Sequence, residues 1–426
     1  MDVWLYGQRI AVLTEPSRYR YQLAFTEEAL DSFGEGSRML SLSLPVSSRA
    51  IRDRTDPSDI RVSAFLEGLL PEGNLRRHIA TTVGVLQTDK MALLAKVGAE
   101  CAGAVQFVAA GASPTGGSVR ELSRGEVDRL IADLPTYHLP AGSTPQASLA
   151  GIQDKVLLTA LPGNRWGWPE QGALSTHIVK PEPLGTGALP HLIEAENWSL
   201  RVARAAGLAA CTSHVESFDG RSAIVVQRYD RVGASDADSN VQTGKIERVH
   251  QEDFCQALGL DPGAKYESTE EPGGSRLRRI VRLAADRSVD PEQLRIDLLS
   301  AVTFNVITGN GDAHSKNYSL LIGRRGQVSL APLYDTAPVM YLNPRFRSTG
   351  HVINGRTNID WVDIDDLAAE AAQWGMTKTT ATRTVTEVIR LEARKLGRSG
   401  PRGIAEGTGR AQFPPRLSVL DATIVR

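Results

Sequence analysis

The stretch Gly309-Asn-Gly-Asp-Ala-His-Ser-Lys-Asn317 decides the fold assignment, because it is a polar loop set between two apolar segments. Residues 298–307 are largely apolar with helical spacing, and the strand-like Tyr318-Ser-Leu-Leu-Ile322 follows the loop. A loop held between two buried elements keeps its polar side chains in fixed positions. The loop therefore predicts a functional site, although a solvated turn with local side-chain hydrogen bonds is an alternative that this stretch alone leaves open.

The separation of Asp312 from Asn317 is the Asp-x-x-x-x-Asn spacing of a protein-kinase catalytic loop. Asp312 is predicted to accept the proton of an attacking hydroxyl, and the amide oxygen of Asn317 to hold a magnesium ion on the phosphates. Further along the chain, Leu-Ala-Pro-Leu-Tyr-Asp335 is predicted to be a strand that ends in the second magnesium ligand, Asp335. Magnesium prefers a few hard oxygen ligands together with phosphate oxygens, which this trio would supply.

Upstream segments provide the remaining parts of a nucleotide site. The segment Thr176-His-Ile-Val-Lys180 resembles the lysine strand of kinases, and Lys180 is predicted to contact the α- and β-phosphates. An amphipathic helix is predicted over residues 189–206. Glu196 on this helix is the predicted partner of Lys180, and Glu194 remains an alternative.

Two more segments lie where a kinase has its phosphate-binding turn and its hinge. The turn Ser148-Leu-Ala-Gly-Ile-Gln-Asp-Lys155 precedes the first strand of this lobe, and its backbone N–H groups could bind phosphate oxygens at Gly151, Ile152 and Gln153. The predicted hinge that reads adenine comprises Gln227, Arg228 and Tyr229. Each segment alone is better explained as an ordinary turn or strand. Their order along the chain, from phosphate turn to metal aspartate, is the order that a kinase needs.

The composition of the chain argues against several classes of protein. The 426 residues carry 48 basic and 49 acidic side chains, so a net charge of −1 argues against a polybasic binder of DNA or membranes. Cys101, Cys211 and Cys255 form no C-x-x-C pair, which excludes a disulfide framework and argues against structural zinc. The sequence shows neither a signal-peptide pattern nor an apolar run of about 20 residues. We therefore expect a cytoplasmic protein.

The order of strands followed by helices predicts an α+β fold. Strands are predicted at Val3–Tyr6, at Arg9–Leu13 and, from alternating serines and leucines, at Leu40–Leu44. The predicted domains are a β-rich N-terminal subdomain (1–110), a linker region (111–147), the ATP-binding remainder of the N-lobe (148–250), a helical C-lobe (251–396) and a flexible C-terminal extension (397–426).

The strings SLAGIQDK, HIVKPE, VQRYDR, RVHQEDFCQALG, NGDAHSKN and LAPLYD resemble the motifs of the HipA family of bacterial serine/threonine kinases, the toxins of HipBA toxin–antitoxin systems. Near the N-terminus, VWLYGQRIAVL, LSLSLPV, FLEGLLPEGN and CAGAVQF resemble the same family, so the similarity spans about residues 3 to 390. The resemblance implies a two-lobed kinase-like fold, with a β-rich N-terminal lobe, an all-helical C-terminal lobe and a site for ATP and Mg²⁺.

The resemblance also implies roles for single residues. Asp312 would be the catalytic aspartate, Asn317 and Asp335 the magnesium ligands, and Lys180 the ATP lysine. Ser148 stands where family members autophosphorylate, and a phosphate there would disturb the phosphate loop and switch the kinase off. His314 occupies the position at which many eukaryotic serine/threonine kinases have lysine, which leaves Lys316 as a candidate to neutralise phosphate charge.

Family members phosphorylate an aminoacyl-tRNA synthetase, typically the glutamyl enzyme, which arrests growth and favours persistence. They pair with HipB, a helix-turn-helix antitoxin, so the resemblance implies that this chain reaches DNA mainly through that partner. One rival hypothesis is a pseudokinase that serves as a co-repressor scaffold with its antitoxin. Another is a metal-dependent hydrolase that uses Asp312, His314 and Asp335, which would leave Lys180 and the Ser148 turn without a role.

Overall fold

The computed structural model describes residues 1–54, 59–134, 151, 153–185, 188–233 and 246–396. Its strands are β1 (Asp2–Leu5), β2 (Gln8–Ser17), β3 (Arg20–Phe25), β4 (Ile51–Arg52), β5 (Val105–Val108), β6 (Ser118–Leu122), β7 (Val156–Leu161), β8 (Arg165–Glu170), β9 (His177–Pro181), β10 (Ser213–Phe218), β11 (Arg221–Gln227), β12 (Arg231–Val232), β13 (Glu247–Arg248), β14 (His250–Asp253), β15 (Ser319–Ile322), β16 (Val328–Leu330), β17 (Ser348–Ile353) and β18 (Arg356–Asn358). Its helices are α1 (Glu27–Phe33), α2 (Arg61–Leu69), α3 (Gly73–Val83), α4 (Lys90–Val97), α5 (Arg124–Ala132), α6 (Leu192–Ala205), α7 (Phe254–Leu258), α8 (Arg276–Ala284), α9 (Pro291–Thr308), α10 (Val339–Leu342), α11 (Ile364–Gln373) and α12 (Lys378–Leu396).

The chain forms two compact units. The first comprises Met1–Pro181, Glu216–Gly263 and Leu321–Gln327, and the second comprises Glu182–Val215, Ala264–Leu320 and Val328–Arg426. Sheets dominate the first unit and helices the second, so the predicted α+β class is confirmed.

The second unit is not all-helical, and in this detail the prediction was wrong. Strands β17 and β18 form an antiparallel hairpin that pairs Ile353 with Arg356. Its turn residues Asn354 and Gly355 have φ angles of 47° and 80°, values that the Asn-Gly dipeptide adopts readily in a two-residue hairpin turn. The dipeptide is a local signal for this hairpin that the helical pattern around it obscured.

The first sheet has the strand order β4-β3-β2-β1-β5, and its core is built from residues between Val3 and Phe107. The predicted hairpin of β1 and β2 is confirmed, with the turn residues Tyr6 and Gly7 at positive φ. The predicted strand at Leu40–Leu44 was wrong, because only an isolated bridge joins Ser41 to Leu44. The hydroxyls of Ser41 and Ser43 bond to each other at 2.9 Å, and all three leucines of the segment are buried without alternation.

The second sheet has the strand order β10-β11-β9-β7-β8-β6 and contains the predicted lysine strand as β9. Part of the predicted linker, 111–147, contributes to this sheet, since β6 pairs antiparallel with β8 and leads into α5. The local signal for α5 is a capping box in which Ser123 and Glu126 satisfy each other's backbone N–H groups. The linker prediction was therefore wrong for 118–132, and residues 135–147 lie outside the described ranges.

Helix α9 leads directly into the loop of the candidate site. It begins after Asp290, whose carboxylate accepts hydrogen bonds from the first-turn N–H groups, with Pro291 at the first helical position. Nearly every residue from Leu298 to Thr308 is buried, and Gly309 ends the helix in the left-handed conformation at φ 76°. A Cβ at this glycine would lie 2.7 Å from a ring carbon of Tyr341, so both the backbone conformation and the space require glycine.

Among the helices in the described ranges, none combines the length and the apolar character that crossing a membrane would require.

Candidate active site

The predicted catalytic loop occupies residues 309–317, between α9 and β15. Asn310 is its central anchor: its Nδ2 donates to Oδ1 of Asn305 at 2.9 Å and to the carbonyl oxygen of Asp335 at 3.2 Å. Its own Oδ1 accepts a hydrogen bond from the N–H of Asp312 at 3.2 Å. One buried asparagine therefore joins the end of α9, the catalytic loop and the segment that carries Asp335.

The amide of Asn317 has a fixed orientation. Its Nδ2 donates to the backbone oxygen of Asp312 at 2.8 Å, and no described residue donates a hydrogen bond to its Oδ1. Because an amide nitrogen cannot bind a cation, this orientation leaves the amide oxygen as the atom with ligand character. The structure therefore brings the predicted Asp–Asn pair together in the arrangement that the spacing suggested.

The carboxylate of Asp312 is partly open to solvent, with a side-chain exposure of 37%. Its Oδ1 accepts a hydrogen bond from the hydroxyl of Tyr266 and lies 3.9 Å from Nε2 of His314. Burial raises the pKa of Asp312, and the negative charge of Asp335 adds to this effect, while Tyr266 and Lys265 oppose it. A carboxylate whose pKa is raised and whose second oxygen has no described partner is suited to accepting a proton.

Asp335 reaches the same site by a different route from the one predicted. Strand β16 ends at Leu330, so Asp335 does not end a strand, and that part of the prediction was wrong. The segment between is irregular and is held by the N–H of Leu333, which donates to the carbonyl oxygen of Leu208 at 2.8 Å, and by Asn310. Asp335 itself has φ 55°, a left-handed conformation that is costly for residues other than glycine and is often found at functional sites.

His314 is buried beside the aspartates. Burial lowers its pKa to about 4, with Lys265 adding to this effect, so the ring is neutral at physiological pH. Its edge contacts the ring of Tyr266 at a centroid distance of 5.1 Å. Lys316 is also buried, and its backbone oxygen accepts a hydrogen bond from the Tyr334 hydroxyl at 2.9 Å. Its role in phosphate binding stays a prediction.

The fit of a divalent ion can be judged from the donor groups. Within the described ranges, no three His, Cys, Asp or Glu side chains are placed to hold a metal together. The site instead provides Asn317 Oδ1 and Asp335, two hard oxygen donors that fit magnesium when nucleotide phosphates and water complete the coordination shell. The geometry thus does not provide the three-side-chain centre of the hydrolase hypothesis.

The predicted phosphate-binding residues of the first unit lie on or next to the second sheet. Lys180 is buried in β9, where it is the register partner of Ile224 on β11. Gly151 has φ 114°, and a Cβ there would overlap Nζ of Lys155. Gln153 has a buried Nε2 that finds no hydrogen-bond partner among the described residues. Ile152 and Ser148 lie outside the described residues.

Glu196 and Glu194 lie on α6, in the second unit. Glu196 is buried with 1% exposure, whereas Glu194 is half-buried, and its Oε2 has no hydrogen-bond partner in the part of the chain that the structure describes. The carboxylate of Glu182 accepts hydrogen bonds from the N–H groups of Leu192 and Ile193 and so caps the start of this helix. The choice between Glu196 and Glu194 as the partner of Lys180 stays a prediction.

The predicted hinge is more constrained than the sequence suggested. Arg228 is buried, its guanidinium bonds to Glu100 and Asp230, and its N–H donates to the carbonyl oxygen of Thr176 at 2.9 Å. Neither its side chain nor its N–H is therefore available to read adenine. Tyr229 donates its hydroxyl to Oε1 of Gln251. Any backbone reading of a base would depend on Gln227, Tyr229 and the carbonyl oxygen of Arg228.

Sequence reasoning missed two residues of the site. Asn310 lies inside the quoted loop, and its position directly after the glycine that caps α9 was a usable local signal. Tyr266 lies 46 positions before Asp312, and no local pattern connects the two.

The α+β architecture, the loop with Asn310, Asp312 and Asn317, and Asp335 beside it define the class of protein, a kinase-like fold. Two family profiles match the chain, the HipA N-terminal domain over residues 1–108 and the HipA-like C-terminal domain over residues 147–395. The chain therefore belongs to the HipA family.

Individual relatives agree with this assignment. The chain is 34% identical to "Putative kinase Y4mE" of Sinorhizobium fredii over 409 residues, which are 93% of this chain and 91% of that protein. It is 31% identical to the serine/threonine-protein kinase toxin HipA of Shewanella oneidensis over 304 residues, or 69% of this chain and 67% of that toxin. A solved complex of the Shewanella oneidensis toxin–antitoxin system, containing HipA, HipB and operator DNA, includes a chain that matches with a TM-score of 0.75. That match covers 100% of this chain and 95% of the other at 24% identity, and it confirms the two-lobed fold.

Proposed function

We propose that this chain is a toxin with ATP- and magnesium-dependent serine/threonine protein kinase activity. The observation that carries the proposal is a hydrogen-bonded chain: Asn310 joins the backbones of Asp312 and Asp335, and Asn317 bonds to the backbone of Asp312. Each group keeps the atom that phosphoryl transfer requires: a carboxylate oxygen to accept a proton, an amide oxygen for a cation, and a second carboxylate beside them.

The chemistry assigned to these residues is simple. The hydroxyl oxygen of a serine or threonine forms a bond to the γ-phosphorus of ATP as the bond from that phosphorus to the β–γ bridging oxygen breaks, and ADP leaves. Asp312 accepts the hydroxyl proton. Asn317 and Asp335 would hold magnesium, which neutralises charge on the phosphate oxygens, and Lys180 would contact the α- and β-phosphates.

We further propose the partners and the setting. The relative of known structure was solved with HipB and operator DNA, which supports a HipB-like helix-turn-helix antitoxin as the partner of this chain. The net charge of −1 agrees with DNA contact made mainly by such a partner. The substrate we propose is a translation protein of the cytoplasm, an aminoacyl-tRNA synthetase such as the glutamyl enzyme. Autophosphorylation at Ser148 would inactivate the kinase.

The test compares the purified full-length chain with its Asp312→Ala variant in γ-labelled ATP and magnesium. We expect label on Ser148 and on an acceptor protein for the parent chain. For the variant we expect transfer to fall by about 100-fold or more, because proton acceptance is lost. ATP affinity, measured by calorimetry, should stay within about two-fold, since the proposed metal ligands are intact.

Each other outcome identifies a rival. Free phosphate without protein label would indicate a hydrolase, and an inert parent chain would indicate a pseudokinase scaffold. Transfer by Asp312→Ala at the parental rate would contradict the assignment of the catalytic loop. Phosphoproteomics after induced expression, with the same variant as control, would then identify the acceptor.

A further inference from the structure

Tyr266 is the residue outside the catalytic loop that bonds directly to the proposed catalytic carboxylate. Its hydroxyl donates to Oδ1 of Asp312, and its ring packs edge-on against His314. The side chain is 40% exposed, so it lies at the surface of the site rather than in the core.

The backbone is hydrogen-bonded on both sides of this tyrosine, to the catalytic loop on one side and to β17 on the other. The carbonyl oxygen of Lys265 accepts a hydrogen bond from the N–H of Ser315 at 3.0 Å, and the N–H of Glu267 donates to the carbonyl oxygen of Gly350 at 3.0 Å. Through Nη1, Arg276 donates to the same Lys265 oxygen at 3.1 Å and to Oγ of Ser315 at 3.0 Å. The segment 265–267 therefore holds its position relative to the loop.

Arg276 is itself fully buried, which makes this attachment rigid. Its guanidinium also forms an ion pair with Glu271, so the charge is balanced where it lies. A buried, paired arginine that bonds to both segments resists their separation. The phenol of Tyr266 is thus presented to Asp312 by a supported backbone.

A carboxylate with one bonded oxygen loses most of its freedom to rotate. The Tyr266 bond engages Oδ1, whereas no described residue donates to Oδ2 of Asp312. The bond therefore selects which oxygen faces an incoming hydroxyl. Burial and the neighbouring carboxylate both raise the pKa of Tyr266, so the phenol keeps its proton and remains a donor.

We propose that Tyr266 is a positioning residue that holds the carboxylate of Asp312 with Oδ2 directed at the acceptor hydroxyl. The role rests on the proposed kinase function, because it acts through proton acceptance by Asp312. This role predicts that Tyr266 contributes to the rate of phosphoryl transfer but does not contribute to the binding of nucleotide.

The test uses the full-length chain with magnesium-ATP and dephosphorylated casein as the acceptor. Tyr266→Phe should lower kcat by about 10-fold, since a hydrogen bond to a charged group is lost, and leave the KM for ATP within about two-fold. The matched control is Tyr6→Phe, which also removes a bonded tyrosine hydroxyl, here one that donates to the carbonyl oxygen of Ile322 at 2.7 Å within the first unit. Its kcat should equal that of the parent chain.

A double-mutant cycle separates positioning from a general structural effect. In the Asp312→Asn background, Tyr266→Phe should cause no further loss, because its effect passes through the Asp312 carboxylate. The stoichiometry of ATP binding should stay at the parental value in every variant.

The outcomes are distinguishable. A parent chain without transfer would refute the proposed function and this role with it. An active parent with an unchanged Tyr266→Phe would overturn only the positioning role, as would an additional loss in the Asp312→Asn background. A rise in kcat would also overturn it, since Tyr266 would then block the acceptor rather than orient the base.

Discussion

Two groups of buried or half-buried charges, one in each unit, are used in opposite ways. In the first unit, Glu100 is completely surrounded by Arg228, Arg231 and Arg248, with Arg228–Glu100 at 3.1 Å and Arg231–Glu100 at 3.0 Å. Burial alone would raise the pKa of Glu100, but the three arginines outweigh it and hold the pKa at about 2. In the second unit, the side chain of Asp312 has one hydrogen-bonded partner among the described residues, Tyr266, and a raised pKa.

The comparison shows that the number of cationic partners distinguishes a carboxylate with a structural role from one that can take part in a reaction. A carboxylate that is paired with several arginines stays ionised and binds neighbouring segments together, which is the role we assign to Glu100 between the predicted N-terminal subdomain and the hinge at Arg228. A carboxylate that is desolvated without an arginine bonded to it holds its charge less tightly and can accept a proton. Both carboxylates are desolvated by burial, and the charged groups beside each one decide whether its pKa is lowered or raised.

The largest expected effect on stability comes from breaking the saturated cluster. Glu100→Gln leaves three buried guanidinium groups without their shared anion, which should cost about 3–5 kcal/mol of unfolding free energy. The matched control is Glu121→Gln, whose partner Arg165 and own side chain are both about half exposed, and its cost should be within about 1 kcal/mol. Urea unfolding followed by fluorescence measures both. Equal losses in the two variants would contradict the distinction between the cluster and a surface pair.

A second prediction tests how tightly the catalytic loop is packed. Gly350 has φ 74°, and a Cβ there would overlap the carbonyl oxygen of Ala313 in the loop. Gly350→Ala should cost about 3 kcal/mol and lower phosphoryl transfer about 10-fold, because the overlap displaces the backbone beside Asp312.

Gly355 provides the control on the same hairpin. Its φ is 80°, yet a Cβ there would have no neighbour within 4 Å. Gly355→Ala should therefore cost only the conformational strain, about 1 kcal/mol, with transfer unchanged. Thermal unfolding and kinase assays on both variants check the comparison, and a matching loss of activity in Gly355→Ala would show that strain rather than overlap is responsible.

A pH-dependent prediction concerns Glu252, a buried carboxylate whose desolvation outweighs the charge of nearby Arg38. Burial raises the pKa of Glu252 to about 8, against 4.5 for an ordinary glutamate. Between pH 4.5 and 8 the unfolded chain is ionised at this residue and the folded chain is not, so its contribution to stability falls as the pH rises. Glu252→Gln removes the titrating group and with it this pH-dependent loss of stability. The free energy of unfolding of the variant minus that of the parent chain should therefore increase across that window by up to about 1.4 kcal/mol per pH unit.

Glu100 gives the opposite pH dependence. Its folded pKa of about 2 lies below the unfolded value, so its stabilisation is present above pH 4.5 and is lost as the pH falls toward 2. Unfolding curves from pH 2 to 8 should therefore show stability differences from the parent chain that change in opposite directions: rising with pH between 4.5 and 8 for Glu252→Gln, and falling with pH between about 2 and 4.5 for Glu100→Gln. Parallel curves would show that the two carboxylates do not differ as the structure indicates.

Local signals in the sequence anticipated the elements that carry the site. Helical spacing predicted the apolar part of α9, the resemblance to a kinase lysine strand predicted β9, and the kinase-like spacing placed Asp312 and Asn317 on one loop. The alternation of leucine and serine failed as a signal for a strand at Leu40–Leu44. There the serine hydroxyls close a turn and all three leucines are buried. Alternation predicts a strand only when one face remains exposed.

What the sequence determined by itself is therefore local: the helix cap at Gly309, the spacing within the catalytic loop and the family to which the motifs point. Only the tertiary structure joined Tyr266 to Asp312, 46 positions apart, and Arg228 to Glu100, 128 positions apart. Periodicity and capping arise from neighbours along the chain, whereas these contacts depend on how distant segments pack. For that reason the chemistry of the site could be predicted from its motif, but the environment that sets the pKa and orientation of its carboxylate could not.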